Sequence, residues 1–407
     1  MTKIKKILQQ FGPGLLYAGA AVGVSHLVQS TRAGAMYGYG LLWAVLLANM
    51  LKYPFFKFGP YYATVSKKNL VQGYAEIGRW AVWLFFLMTV LTMFIVQAAV
   101  TVVTTGLVNE VLGVNLSPTQ GGAIILFLCL SLLLIGKYAL LDNTMKLIIV
   151  LLSLTTIIAV IFSFKDASVP VEMNFSLNST KDLAFLIALM GWMPAPLDIS
   201  VWHSVWSIEK EKTTGNTVSL KSSMRDFNTG YWGTMILAVF FVILGANTMY
   251  SQGIEPAAGA TPFAKQLIGI YTENIGHWAY YIIAVAAFTT MFSTTLTCFD
   301  AYPRVMAPAT EIIYNKRLNL QSTYWFWLIM LYGGTVLVLS CCLDNMREFI
   351  DFVTKVSFLV APVLALFNYI VVFHRLEESK RPPERMRWVS IAGMLYLLGF
   401  GIFYLVS

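Results

Sequence analysis

Charged residues are scarce in this chain of 407 residues, where they make up 12% against 57% for hydrophobic residues. No soluble domain needs so much apolar surface, so the composition predicts a membrane protein with several spans. Soluble-enzyme motifs are also missing, because the sequence contains no phosphate loop, no GxSxG and no HExxH. These absences argue against an enzyme and against an ATP-driven pump.

Cysteine is rare as well, with four residues in the whole chain. Cys129 and Cys298 fall in apolar runs, and Cys341 and Cys342 are adjacent. No CxxC and no Cys/His spacing is present, so neither a zinc knuckle nor a disulfide framework is predicted. We therefore expect no cofactor, although a metal ion could be the transported substrate.

Apolar runs of about 20 residues, the length that crosses roughly 30 Å of hydrocarbon, recur along the chain. They cover residues 12–32, 39–60, 81–108, 121–136, 145–164, 183–206, 230–248, 277–299, 323–343, 352–374 and 388–406. Eleven such runs leave little for a soluble domain. We predict an all-α, polytopic membrane protein with eleven transmembrane helices in one transporter domain, residues 1–407.

The net charge of +8 is distributed unevenly. Alternate connections carry most of the bases: Lys3, Lys5, Lys6, Lys67, Lys68, Arg79, Lys137, Lys146, Lys210, Lys212, Lys221, Arg225, Arg304, Lys316, Arg317, Arg375, Lys380, Arg381, Arg385 and Arg387. This positive-inside pattern predicts a cytoplasmic N-terminus and an outside C-terminus, in a plasma membrane that we expect to be a bacterial inner membrane. It favours lipid and a small ion or solute as partners, and argues against nucleic acid; it does not indicate an oligomeric state.

The sixth apolar run is interrupted at its centre by Pro194, Pro196 and Asp198. Two prolines one residue apart cannot both fit a regular helix, because each removes a backbone donor and clashes with the preceding turn. Freed carbonyls and a carboxylate at membrane depth are tolerated only where they line a cavity or are buried in protein. A broken helix with a charge at this depth is typical of a transporter's substrate site.

The first apolar run is the second interrupted one. It is rich in glycine and other small residues up to Gly23, which leaves helical geometry at little cost, and then turns polar. Ser25, His26 and Arg32 belong to this polar part, where several side chains share one face. Tight packing with hydrogen bonds to neighbouring helices is the alternative explanation.

Three segments of the first two runs resemble the Nramp divalent-metal transporter family. They are Gly12-Pro13-Gly14, the stretch 33–43 (AGAMYGYGLLW) and 46–49 (LLAN), to which the sixth-run break and His203-Ser204 add. The resemblance implies a LeuT-type fold of five plus five helices in inverted repeats, with broken first and sixth helices. The repeats would cover about 12–164 and 183–374, with an extra helix at 388–406. It also implies alternating access around a central site between the two broken helices.

The chain departs from that family at the metal site. Counting from Gly12, the family's Asp-Pro-Gly-Asn positions are Gly23, Val24, Ser25 and His26 here. The family's Met-Pro-His falls on Ala195, Pro196 and Leu197, or one register away with Met193 and Pro194. The third run, 81–107, also lacks the family's proton-linked acids. The substrate-binding candidates are therefore Gly23, Ser25, His26, Ala195 and Asp198.

Asp198 and His26 are the candidate metal ligands. Carboxylate and imidazole together suit a divalent ion, with carbonyls of residues 193–196 completing the site. Asp198 could instead cap the second half-helix through Ser200 and Val201. His26 could instead carry a proton or be a structural donor.

Arg32 and His203 are the candidate gating or coupling residues. The Arg32 cation could pair with an acid such as Asp198 or Glu76, repel a cation, or bind an anionic solute. Near the second run's end, Lys52 and Lys57 are expected to extend to the membrane surface. The i,i+4 spacing predicts two ion pairs, which are Asp300–Arg304 and Asp351–Lys355.

Three functions are compatible with these residues. The first is a secondary transporter of a metal cation, most simply a divalent one. The second is a secondary transporter of a small organic or anionic solute in the same fold, favoured by the lost metal ligands and by Arg32. The third is a non-transporting sensor.

Overall fold

The computed structural model of the protein describes residues 12–135, 138–165, 175–215, 217–343 and 345–406. All regular structure within these ranges is helical, which confirms the predicted all-α class. The α-helices are α1 (Pro13–Ala21), α2 (Thr31–Tyr37), α3 (Leu42–Ser66), α4 (Leu70–Ile77), α5 (Arg79–Leu112), α6 (Pro118–Ile135), α7 (Tyr138–Ser163), α8 (Thr180–Gly191), α9 (Ile199–Thr214), α10 (Leu220–Leu244), α11 (Ala260–Ile275), α12 (Tyr280–Tyr314), α13 (Leu320–Cys341), α14 (Met346–Ile370) and α15 (Glu384–Val406). Lys3, Lys5, Lys6 and Lys137, part of the predicted basic connections, lie outside the described residues.

Seven helical stretches in the described ranges are long and apolar enough to cross a membrane. They are α5, α6, α12, α13 and α15, together with α10 and α14 and their short π-helical or 3-10 extensions. The other four predicted runs correspond to α3, α7 and the two interrupted segments. The count of eleven spans therefore remains a prediction. Two short helices that the apolar runs did not indicate, α4 and α11, lie between spans.

Local sequence signals fix many of the helix ends. Asn69 and Gln72 form a capping box at the start of α4, and Asn319 and Asn345 cap α13 and α14 through their side chains. Gly113, which ends α5, has a φ of +64°, a left-handed geometry that glycine adopts without a Cβ clash. These caps give the orphan groups at helix ends a partner within the chain.

Both predicted interruptions are present. In the first span α1 ends at Ala21, Gly23 is non-helical with φ −145° and ψ −129°, and a π-helix (Val24–Ser30) leads into α2. In the sixth span α8 ends at Gly191, and α9 begins only at Ile199. The prolines between them explain this gap, because neither can continue the hydrogen-bond pattern of α8.

The helix ends sort onto two faces of the bundle. One face, which we call the basic end, joins the start of α1 to α10, where the Gly14 N–H donates to Asp226 at 2.9 Å. It also joins the ends of α3 and α9 through Lys67 and Glu211, 2.8 Å apart. Burial alone would raise the pKa of Glu211, but hydrogen bonds from Lys67 and the Val218 N–H, with the Lys67 charge, hold that pKa below its ordinary value. Lys67 thus lies at this end beside Glu211 of a second predicted basic connection; the side of the membrane that this end faces stays a prediction.

Small residues let the first span approach α10 closely. A Cβ on Gly34 would lie 2.0 Å from the Val242 carbonyl oxygen, and one on Gly245 would lie 2.2 Å from that of Thr31. Contacts this short leave no room for a side chain, so glycine at both positions sets the distance between the helices. This contact fixes α2 beside α10 and thereby positions the polar part of the first span.

We predict that Gly34→Ala destabilises the protein by about 1–3 kcal/mol, because the added methyl must push α2 away from α10. The measurement is thermal unfolding in detergent. Gly233→Ala is the matched control on α10, since a Cβ there meets nothing within 4 Å. Equal unfolding temperatures for the two variants would show that the Gly34 contact does not hold the helices together.

Candidate substrate site between the two broken helices

A small cavity lies between the two interruptions. With a volume of about 10 Å³, it has room for about one water molecule. Its lining comes from the first span (Ala20, Ala21, Val24, Ser25), α5 (Val96, Val100), the sixth span (Trp192, Pro196, Ile199) and α12 (Thr294, Cys298). All of these residues are buried. The two broken segments thus face one small cavity. Of the predicted substrate-binding residues, Ser25 lines it, whereas Gly23, His26, Ala195 and Asp198 are not among its lining residues.

Side-chain hydroxyls donate hydrogen bonds to carbonyl groups that lose their helical partner at the first interruption. The Thr294 hydroxyl lies 2.9 Å from the Gly19 carbonyl oxygen and 3.3 Å from that of Val22. A Cβ on Gly23 would lie 2.8 Å from the Thr294 methyl carbon, so only glycine lets α12 come this close. Glycine at position 23 therefore serves the packing of α12 as well as the backbone geometry of the break, next to Val24, which lines the cavity.

His26 lies beside the cavity and turns toward α10. Its Nε2 is 2.9 Å from the Thr234 carbonyl oxygen, and its Nδ1 is 2.7 Å from the Ser25 hydroxyl. Because a carbonyl only accepts, Nε2 must carry the proton, and a neutral ring then accepts from Ser25 at Nδ1. Metal binding at Nδ1 would require Ser25 to release it, and Ser25 has the Ala21 carbonyl at 2.7 Å as its other acceptor.

Asp198 is nearly buried, with 8% of its surface exposed. It immediately precedes α9 but does not cap that helix through its side chain, so the predicted capping of Ser200 and Val201 is wrong. Tyr74, Cys298 and Tyr302 are neutral polar side chains in its neighbourhood. Among the described residues, no other side chain donates a hydrogen bond to it, which leaves its oxygens open to a cation or proton.

The predicted ligand pair remains untested as a metal site. Within the described ranges, no three His, Cys, Asp or Glu side chains come together as metal ligands. Ala195 is fully buried in the gap of the sixth span. Any ion here would therefore be held chiefly by Asp198 and backbone carbonyls, and we treat this as a proposal below.

Lys52 does not extend to the membrane surface, so that prediction is wrong. It is fully buried, and its amine donates to the carbonyl oxygens of Met190 (2.6 Å) and Gly191 (3.0 Å). The second span runs to Ser66 rather than residue 60. Lys52 therefore lies about 15 Å and 21 Å from its two ends, too deep for its stem to reach water.

Arg32 binds an acid that the sequence did not identify. Its guanidinium makes a bidentate pair with Asp351 of α14, at 2.7 and 2.9 Å, and not with Asp198 or Glu76. Gln29 joins this pair, accepting from Arg32 at 2.9 Å and donating to Asp351 at 3.0 Å. The predicted Asp351–Lys355 pair is thus replaced by a link between the first and tenth spans. The predicted Asp300–Arg304 pair is present at 2.6 Å, although inside α12 rather than at its end.

The Arg32–Asp351 pair forms the floor of an open vestibule of about 550 Å³. The Phe185 ring, which also lines the vestibule, packs on the guanidinium, with Cζ 5.1 Å from the ring centre. Ser25, at the cavity, lies seven residues before Arg32 along the helix, which is about 10 Å. The vestibule and the central cavity are therefore separated by this ion pair and its aromatic cover.

Aromatic side chains separate the cavity from the basic end. His203 of α9 stacks on Tyr17 of α1, with ring centres 6.0 Å apart, and Phe227 and Tyr231 of α10 pack against Tyr17. The Nδ1 atom of His203 has no hydrogen-bond partner among the described residues. His203 therefore lies between the cavity and the basic end; its gating or coupling role stays a prediction.

Sequence reasoning missed three functional candidates, Lys52, Gln29 and Asp351. The available signal for Lys52 was a cation at the centre of an apolar run, which is costly unless it has partners. Asp351 carried no such signal, because its partner is 319 residues away in the chain.

Comparison with known proteins gives a family match over residues 14–407, to the family described as natural resistance-associated macrophage protein-like. An uncharacterized protein of Pasteurella multocida (strain Pm70), PM0681, is 35% identical over 401 residues, which are 97% of this chain and 92% of that protein.

Among solved structures, a mutant manganese transporter of Eremococcus coleocola matches with a TM-score of 0.70 at 14% identity, over 100% of this chain and 87% of that one. MhsT in complex with L-phenylalanine matches with a TM-score of 0.60 at 13% identity, over 96% and 98%. These structural matches establish the shared fold.

We predict that Asp351→Ala destabilises the protein by about 3–5 kcal/mol, because it leaves the Arg32 guanidinium buried without a counter-charge. The double variant Arg32→Met/Asp351→Leu should recover most of that loss. Thermal unfolding in detergent measures both. Glu377→Ala is the control, since its pair with Lys380 is exposed and worth at most about 1 kcal/mol. If the Asp351→Ala protein is as stable as the control, the Arg32–Asp351 ion pair does not hold the first and tenth spans together.

Proposed function

We propose that this chain, which belongs to the natural resistance-associated macrophage protein-like (Nramp) family of membrane transporters, is a secondary transporter that moves a metal cation by alternating access. Members of this family are transporters and not enzymes. The observation that carries the proposal is the central cavity between two broken helices, with the Asp198 carboxylate at the start of the second half-helix. The fold shared with a manganese transporter supports it.

In this proposal the cation is divalent and binds at Asp198 with carbonyls of the sixth-span gap, residues 193–196. His26 becomes a ligand when Ser25 releases its Nδ1. An intramembrane carboxylate free of other donors is the natural partner of a cation, because its burial is costly unless it is paired or protonated. The five-plus-five inverted repeat, about 12–164 and 183–374, belongs to the same proposal.

Access would alternate through two barriers. Separation of Arg32 from Asp351 would join the vestibule to the central cavity, while the stacked rings of Tyr17 and His203 stay closed. Movement of α1 away from α9 and α10 would then open the cavity toward the basic end. Each barrier consists of contacts between helices, so each can break without unfolding a helix.

The first test is uptake of Mn²⁺ and Mg²⁺ by proteoliposomes. Asp198→Asn should weaken uptake at least ~10-fold, because a ligand charge is lost from the site. Glu209→Gln, an exposed acid on the same helix, should transport like the wild type. The proposal of metal transport is wrong if the wild-type protein neither binds nor transports any divalent ion.

A second test addresses topology. We propose that the basic end faces the cytoplasm of a bacterial cell and that the C-terminus lies outside. A periplasm-dependent reporter such as alkaline phosphatase, fused after the last residue, should then be active. If only a fusion to a cytoplasmic reporter is active, the C-terminus lies in the cytoplasm and the number of spans must be even.

Transport of a small organic or anionic solute is the second candidate. The specific observation that favours it is the shortage of metal ligands, together with two buried cations, Lys52 and Arg32, beside the broken helices. MhsT, of similar fold, was solved with L-phenylalanine. Thermal stabilisation by an organic compound, without metal binding, would select this function. Flux of any solute would remove the idea of a non-transporting sensor.

A further inference from the structure

Lys52 is a cation buried at the middle of α3 without an acid. It is fully buried, and among the described residues no carboxylate lies within ion-pair distance of it. Such a group is costly at membrane depth unless its donors are satisfied. Two of its three N–H donors are accounted for by the last carbonyls of α8, those of Met190 and Gly191.

The carbonyl end of α8 is the place in the sixth span that most needs a cation. The last carbonyls of a helix have no helical partner and carry the negative end of its dipole. Here the helix ends at Trp192. The N–H groups of Trp192 and Met193 reach the Met190 carbonyl, but among the described residues no backbone donor reaches that of Gly191. In water, solvent molecules would donate hydrogen bonds to these carbonyls. Inside a bundle, a cation or a hydrogen-bond donor of the protein has to take the place of the solvent.

The surroundings hold this end rigidly against α14. A Cβ on Gly191 would lie 2.1 Å from the Thr354 carbonyl oxygen, and the Trp192 indole N–H donates to Ser357 at 2.8 Å. The Phe358 ring lies 5.9 Å from the Lys52 amine, within the range of a cation–π contact. Carbonyls, an aromatic face and close packing together form a site for one compact cation.

We propose that Lys52 is a built-in cation of this transporter, whose amine fills, at the carbonyl end of α8, a site that a dissociable monovalent cation would otherwise occupy. The tethered charge holds the broken sixth span in place without sodium or potassium. The inference rests on the geometry of the break and not on the transported substrate, so thermal stability tests it independently of any transport assay.

Chemical rescue is the direct experiment. Lys52→Ala removes three carbons and the amine, which are the heavy atoms of n-propylammonium. The variant should unfold roughly 5 °C or more below the wild type, because the buried Gly191 carbonyl loses its donor and the Met190 carbonyl loses one of its donors. Propylammonium, present throughout solubilisation, should restore most of that loss, while 1-propanol and tetramethylammonium should not.

Lys57→Ala is the matched control, because Lys57 lies on the same helix with its amine 5.2 Å from the Tyr53 ring centre and partly exposed. It should respond to none of the three compounds. The proposal is overturned if Lys52→Ala unfolds at the wild-type temperature, if propanol restores it as well as propylammonium does, or if no compound restores it.

Two further arms keep the test decisive if Lys52→Ala does not fold. Lys52→Met keeps the length of the side chain without its charge, and should unfold below the wild type; equal stability would overturn the proposal. Wild-type protein should unfold at one temperature in Na⁺, K⁺ or choline at equal ionic strength. Specific stabilisation of the wild type by Na⁺ or K⁺ would show that the site is filled by a dissociable ion.

Discussion

Backbone groups that leave the helical pattern at membrane depth must find partners inside the protein, and much of the core follows from this constraint. At the first interruption the partners are hydroxyls, with Thr294 on the carbonyls of Gly19 and Val22. At the second, the partner is the Lys52 amine. Thr294 and Lys52 are thus polar residues of the core that an unwound backbone requires.

The same constraint explains why a cavity forms there. Two half-helices that end facing each other cannot fill the space between them as continuous helices would. Two residues of opposite charge lie at the two ends of the sixth-span gap: Lys52 covers the carbonyl end of α8, and Asp198 begins α9. A cation in the site would therefore be expected on the Asp198 side, away from the fixed positive charge.

The sequence predicted features that depend on local chemistry. The prolines at 194 and 196 and the glycine at 23 interrupt their spans as expected, because proline and glycine act on their own turn of backbone. The i,i+4 pair of Asp300 and Arg304 is local in the same sense. The partners of Arg32 and Lys52 were not predictable, since Asp351 and the carbonyls of α8 come near only when distant helices pack.

Alternating access requires that the cavity opens in turn to the two ends of the bundle. The most direct measurement places a single cysteine at Ser25, with Cys129, Cys298, Cys341 and Cys342 all replaced, and labels it in oriented vesicles with a membrane-impermeant thiol reagent. We expect labelling from each side in turn, and a transported ion should change the ratio of labelling from the two sides. Labelling from one side only under every condition would contradict alternating access.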